Sequence, residues 1–329
     1  MAAVSETRRT TLGLASGGLA GALALFLGST RVGLGGDEEP PRSGPPEVWV
    51  SDRDGQALIG LDRHLLVAAR VDIPGPTEVE ACDDGGLWAV SAREGDPLGA
   101  YDLLRLAPDG KLADPIEVGV VIDLAAVAGG DALVVERNED GSTRVRRFAA
   151  DGRASPVAEL PDASCASGAR DRVIVGTASG AVLAFGGGTP RHAQLGGSIC
   201  DVAPGPSARG WWALDRGRSG ASRLMLLDEE LRMLWTLQCE LEGGQLAPVP
   251  NQERVWIVGA SRPLAFRFGP GGVPELASGP LPQVGLGRAA ALDDGGLLVT
   301  SPGALLRLDA RGRIATGQGG FDFLTDVAR

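Results

Sequence analysis

One apolar run, ending in a small or polar residue, recurs seven times. It reads VWVS, WAVS, LVVE, VIVG, WALD, WIVG and LVTS, ending at Ser51, Ser91, Glu136, Gly176, Asp215, Gly259 and Ser301. Successive ends lie 39 to 45 residues apart. A fixed period of this length restricts the chain to a repeat architecture, because each unit buries its apolar face only against its neighbours. Two units far apart in the chain keep the same order of motifs: DDGGLWAVS with LLRLAPDGKL, and DDGGLLVTS with LLRLDARGRI.

Each recurring run is followed by a turn-rich gap and a second run: ALIGLD, LLRLAP, RVRRFA, AVLAFG, LMLLDE, LAFRFG and LLRLDA. A third, less regular run follows, and a fourth short segment precedes the next unit. All are short, turn-bounded and rich in Val, Leu and Ile, which is strand chemistry. Gly (50) and Pro (22) supply the turns, and 43% hydrophobic residues supply a core. Collagen is excluded by the lack of a three-residue period, and disorder by the hydrophobicity. Four strands per unit of about 40 residues are the signature of a β-propeller blade. The expected fold is all-β, a seven-bladed β-propeller over residues 47–329.

Six copies of the fourth segment lie between the seven runs. The seventh is FLTDVA, at Phe323 to Ala328. A ring leaves unpaired sheet edges unless it closes. This segment is therefore expected to pair into blade 1 as its innermost strand.

The units resemble NHL and YVTN repeat propellers. PTEVEACDDGGLWAVS (Pro76 to Ser91) is similar to their Pro-x-Gly-Val-Ala…Asp-Gly…Tyr-Val pattern, with Glu78 where Gly is common. VWVSDRDGQALIGLD looks like a YVTN unit, and RVRRFAADGR like an NHL strand and turn. The resemblance implies the fold. It leaves function open, since such families span binding modules, enzymes and scaffolds. Lactonase-type propellers hold an axial calcium with Glu, Asn and Asp. The only asparagines here, Asn138 and Asn251, fall in loops, so that site is not reproduced.

Aligning the inner strands puts one polar position in common: Glu78, Asp123, Ser164, Asp201, Gln245, Arg288 and Asp326. Inner strands line the central channel, so these residues are expected to form an axial ring. Four carboxylates and a guanidinium could bind a hard cation such as calcium, or a small polar ligand. They could equally be a hydrated lining whose charges face water and Arg288. Arg288 opposes a cation, so no resident cofactor is expected.

Other chemistry is thin. His64 and His192 fall in different blades and do not converge, which leaves histidine catalysis unsupported. ERNEDGS (Glu136 to Ser142) reads as a hairpin turn rather than a calcium loop, because Arg147 stands where a bidentate Glu is needed. Trp49, Trp88, Trp211, Trp212 and Trp256 are expected to pack between blades. Cys82, Cys165, Cys200 and Cys239 lack metal spacing and are expected to be buried free thiols, with Cys200 and Cys239 the one pair to check as a disulfide.

Residues 1–34 read as an address. Arg8 and Arg9 precede an uncharged run from Leu12 to Leu27 and resemble a twin-arginine export signal. The run serves as a cleaved signal or as a membrane anchor, and either places the propeller outside the cytoplasm, periplasmic or extracellular. Residues 35–46, GGDEEPPRSGPP, are a Pro/Gly-rich linker. A net charge of −11 argues against nucleic acid as a partner. The expectation is a non-enzymatic propeller that binds a protein or a small polar ligand. The alternative is a hydrolase or lyase with a metal or polar substrate at the axial ring.

Overall fold

The computed structural model describes residues 46–93, 100–169, 172–186, 188–205, 210–217, 221–239, 244–259, 265–269, 274–278, 288–301 and 303–329. Internal contacts divide the chain into Met1–Pro41 and Arg42–Arg329. The expected signal or anchor of residues 1–34, and the linker up to Pro45, lie outside the described residues. Among the described residues no helix is long and apolar enough to cross a membrane.

The second unit is a ring of seven sheets, each of four antiparallel strands. Six blades are built from consecutive strands. In blade 2 these are Pro76–Ala81, Leu87–Ala92, Tyr101–Leu106 and Ile116–Val118, from the axis outward. Blade 1 differs: its inner strand is Leu324–Ala328, paired with Val48–Asp52, followed by Ala57–Leu61 and Val67–Asp72. The expected closure is therefore present, with Trp49 opposite Ala328, Val50 opposite Val327 and Ser51 opposite Asp326. Side chains lock it further. The Asp52 carboxylate accepts the N–H of Phe323 at 2.8 Å and of Asp322 at 3.1 Å. The Ser51 and Thr325 hydroxyls lie 2.7 Å apart.

Second strands run near the middle of each sheet and are buried on both faces, so they lose the polar alternation of a half-exposed strand. Val255–Gly259 and Leu297–Ser301 are buried at every residue. Their side chains pack across blade boundaries. Trp212 and Leu214 of blade 5, for example, cluster with Leu246, Val255 and Ile257 of blade 6. Fully burying each such side chain contributes about 1.5–3 kcal/mol. Trp88, Trp211, Trp212 and Trp256 are all essentially inaccessible, as expected of inter-blade packing. The outer strands alternate between exposed and half-buried residues, as in Met233–Cys239.

Among the described residues, five inner strands carry a bulge where the pairing register shifts. The extra residues are Thr325, Thr77, Ile122, Ser164 and Cys200 in blades 1 to 5. A bulge bends its strand and re-aims the side chain beside it. Here it aims the neighbouring polar side chain at the next blade.

Candidate functional site: a hydrogen-bonded belt around the axis

The pairing registers identify the common inner position directly. Glu78 faces Val90, Asp123 faces Val135, Asp201 faces Leu214, Gln245 faces Val258 and Asp326 faces Ser51. In blade 4 the residue at this position is Cys165, opposite Gly176. Ser164, placed there by sequence spacing, is the bulge residue one step earlier. The apolar run of blade 4 extends to Thr177, opposite Ala163, so counting from Gly176 shifts the alignment by one. Arg288 precedes the short strand Ala289–Ala291 and stands at the matching level in blade 7.

Five of these side chains have a defined partner in the neighbouring blade. Asp326 of blade 1 accepts the Val79 N–H of blade 2 at 2.9 Å. Glu78 accepts the Leu124 N–H of blade 3. Asp123 accepts the Ala166 N–H of blade 4 at 2.8 Å. Asp201 of blade 5 accepts the Leu246 N–H of blade 6 at 2.6 Å, and Gln245 accepts the Ala289 N–H of blade 7 at 2.7 Å. In every case the donor is the residue just after the ring position.

Two junctions lack such an acceptor, because Cys165 and Arg288 offer none of the right kind. The N–H groups left over belong to Val202 and Val327. Both are taken by the second oxygen of the preceding aspartate: Asp201 Oδ1 to Val202 at 2.8 Å and Asp326 Oδ1 to Val327 at 2.8 Å. Ser164 ties blade 4 to blade 5 by another route, donating to the Ile199 carbonyl at 2.6 Å. All seven inner N–H groups are thereby satisfied, which a buried backbone requires.

Arg288 has no backbone to hold and reaches across the channel. Its guanidinium pairs with Asp123 of blade 3 and lies 3.6 Å from Glu78 Oε2 and 3.9 Å from Glu80 Oε1 of blade 2. Glu80 did not emerge from the spacing. Its signal was there, since Glu78 and Glu80 are two apart on one strand and share a face. Glu78 Oε2 is buried without a hydrogen-bond partner.

Burial shifts Asp326, Asp201, Glu78 and Glu80 toward their neutral forms. Desolvation pushes Asp326 up to about 7 against the pull of Arg288. Asp201 also rises to about 7, through desolvation and the nearby Asp123 charge. Glu78 and Glu80 are raised too, chiefly by desolvation. Glu80 keeps 30% of its side-chain surface. Among the described residues, no three His, Cys, Asp or Glu side chains are grouped to share a metal ion.

The remaining chemical candidates are dispersed. His64 sits in a turn of blade 1 beside Arg63, and His192 on the outer strand of blade 4. All four cysteines are free, including Cys200 and Cys239. Desolvation pushes the thiols of Cys82 and Cys200 up to about 12, which suppresses the reactive thiolate. ERNEDGS forms the hairpin turn expected of it, with Asp140 accepting the Ser142 N–H at 2.9 Å.

The sequence matches no protein-family model and no curated protein. Solved structures share the fold. A putative 6-phosphogluconolactonase from Bacteroides uniformis superposes with a TM-score of 0.66 at 12% identity, over 86% of this chain and 98% of that one. Virginiamycin B lyase from Staphylococcus aureus gives 0.57 at 11%, over 80% and 93%. The dihydro-heme d1 dehydrogenase NirN gives 0.57 at 14%, over 86% of this chain and 65% of that one. At such identities the likeness concerns architecture alone. The chain is a seven-bladed β-propeller of the kind that NHL and YVTN repeats form.

Proposed function

We propose that this protein is an exported, non-enzymatic propeller that binds a protein partner on one face of its ring. The observation that carries this reading is the use of the axial polar groups. Asp326, Glu78, Asp123, Asp201 and Gln245 accept backbone N–H groups, so the ring acts first as a belt holding blades in register. A hydrolase needs a nucleophile or ion with a base beside it. Among the described residues no three His, Cys, Asp or Glu side chains are grouped to hold a metal ion. Export rests on Arg8, Arg9 and the Leu12–Leu27 run, with the same run as a tether if it is retained. The acidic balance disfavours nucleic acid.

Photo-crosslinking in cells tests the reading. A benzophenone amino acid at Asp54 or Asp140 samples the turns between second and third strands. At Asp109 or Asp151 it samples the turns on the opposite face. Discrete adducts from one face only are expected. Equal, diffuse labelling of both faces would overturn a dedicated docking face.

A second reading concerns a small polar ligand at the axis. Glu78 Oε2, ion-paired with Arg288 at 3.6 Å but without a hydrogen bond, is the observation that favours it. A ligand offering a hydrogen-bond donor to Glu78 and a carboxylate to Arg288 suits this site better than a calcium ion.

A further inference from the structure

Blades 2 and 6 seal their junctions with the same device. Trp88 and Trp256 occupy the same register of the second strand, opposite Arg105 and Arg267 on the third. Each guanidinium lies over the indole, 5.4 and 5.5 Å from the ring centroid. Each indole N–H donates to a turn carbonyl of the next blade, Trp88 to Gly130 at 2.9 Å and Trp256 to Gly295 at 3.2 Å.

Blade 7 has the arginine without the ring. Leu298 stands in the tryptophan register, opposite Arg307. The Arg307 side chain stays 33% exposed, against 6% for Arg105 and 12% for Arg267. The junction beyond it is also unusual, because blade 1 has no hairpin between its inner and second strands. In blade 2, Asp83 accepts the N–H groups of such a hairpin, at Gly129 and Gly130. Its counterpart Asp293 binds the Arg329 guanidinium instead. Blade 3 shares the leucine–arginine pair, Leu133 and Arg147, and both arginines are ion-paired, Arg147 with Asp131 and Arg307 with Asp294 at 2.9 Å, but in blade 3 Phe185 packs against the cluster.

Losing both the indole and the hairpin leaves a cleft of about 190 Å3. Val48, Leu65, Leu292 and Leu298 form its apolar wall, with Arg307 and Glu47 among its polar groups. A leucine-lined cavity of about 150 Å3 suffices for one benzene ring. We propose that this cleft binds a small indole-type aromatic molecule, its ring lying under Arg307 as Trp88 and Trp256 lie under their arginines. The cationic guanidinium favours the electron-rich face of the ring. Glu47 is one of the carboxylates lining the cleft, with Asp62, Asp293 and Asp294, that can accept the ring N–H in place of the missing turn carbonyl. The cleft shares no lining residue with the axial belt.

Calorimetric titration of the full chain with indole tests this. Saturable binding with a Kd of about 1 mM or below is expected. N-methylindole, which lacks the N–H, should bind several-fold more weakly. Leu298→Trp fills the cleft from within, so it should abolish indole binding while keeping or raising the melting temperature. If that variant misfolds, Leu298→Phe provides the same block with a smaller ring. Arg307→Met should weaken indole binding several-fold. Absence of saturable binding at ~5 mM, or undiminished binding to a folded Leu298 variant, would overturn the proposal. Tighter binding of N-acetyltryptophanamide than of indole would overturn the assignment to a free small molecule and move it to a polypeptide side chain.

Discussion

Arg288 of blade 7 forms an ion pair with Asp123 of blade 3, so the ring is braced across its axis as well as around its circumference. Asp123 is bonded at both oxygens, to this guanidinium and to the Ala166 N–H. The brace places a fixed positive charge beside Glu78, Glu80 and Asp326, the acids that burial drives toward their neutral forms.

Removing that charge should be costly in a pH-dependent way. Arg288→Met leaves Asp123, Glu78 and Glu80 facing one another without a cation. A loss of about 3–5 kcal/mol is expected at pH 8, as for other broken buried pairs. At pH 5 the acids can take protons, and the loss should shrink. Urea denaturation at the two pH values measures the difference, and an equal loss at both would refute the brace.

The wild type should itself lose stability between acid and neutral pH. Asp201 and Asp326 have native pKa values of about 7, above the ordinary 3.8. A raised acid stabilises the fold fully below its unfolded pKa, and this contribution disappears as pH rises through about 7. Opposing this are depressed acids. Burial alone would raise Asp84, but the Gly86 N–H and Arg105 hold it low. Their contribution is lost only as pH falls below the ordinary carboxylate range. Maximum stability is therefore expected at about pH 5. Asp201→Asn with Asp326→Asn should flatten the decline from pH 5 to 7 while lowering stability throughout, since each amide oxygen keeps its inter-blade N–H but the amide nitrogen leaves the Val202 and Val327 N–H groups without an acceptor. A melting-temperature series across pH checks both statements.

Asp326→Ala should cost more than a surface substitution. It leaves the N–H groups of both Val79 and Val327 without acceptors. Each buried orphan costs about 1–3 kcal/mol. Deleting Phe321 to Arg329 removes the whole closing strand, and the product should fail to fold cooperatively. A cooperative transition at the wild-type temperature would refute the closure.

The buried Glu136 offers a control away from the axis. It accepts from the Gly119 N–H at 2.7 Å and pairs with Arg144 and Arg146. Glu136→Gln should destabilise by about 3 kcal/mol, because two arginines lose their counter-charge. Thermal unfolding at pH 7 reads this directly.

Export is testable apart from the fold. Replacing Arg8 and Arg9 by Lys should leave folded precursor in the cytoplasm if the twin-arginine route is used. Fractionation of cells carrying that variant shows which route operates.

The blade count and the closing strand were legible because they depend on period and on hydrophobic patterning, which the sequence displays. The axial ring was legible to within one residue. The exception comes from the count itself: the second-strand run of blade 4 extends to Thr177, one residue past the Gly176 from which the spacing was taken, so counting puts Ser164 where Cys165 stands. The partners of the ring residues were not legible at all. They are backbone N–H groups, the same for every residue type, and only the registers of adjacent blades bring them opposite a carboxylate. Arg288 shows the converse. Its charge was visible at once, yet its reach to blade 3 depends on the width of the channel.

Ser51 and Thr325 touch although 274 positions separate them. Their strands can meet only after all the intervening blades have been synthesised, so Val48–Asp52 must wait longest for its inner neighbour. Until then it presents an open edge of high β-propensity, the kind of surface that recruits other chains. Such long-range pairing is also intrinsically slow. The bonds from Asp52 to Phe323 and Asp322 are then a zipper's final teeth. The speed with which they engage, more than the strength of any one blade, sets how long a newly made chain is vulnerable to aggregation.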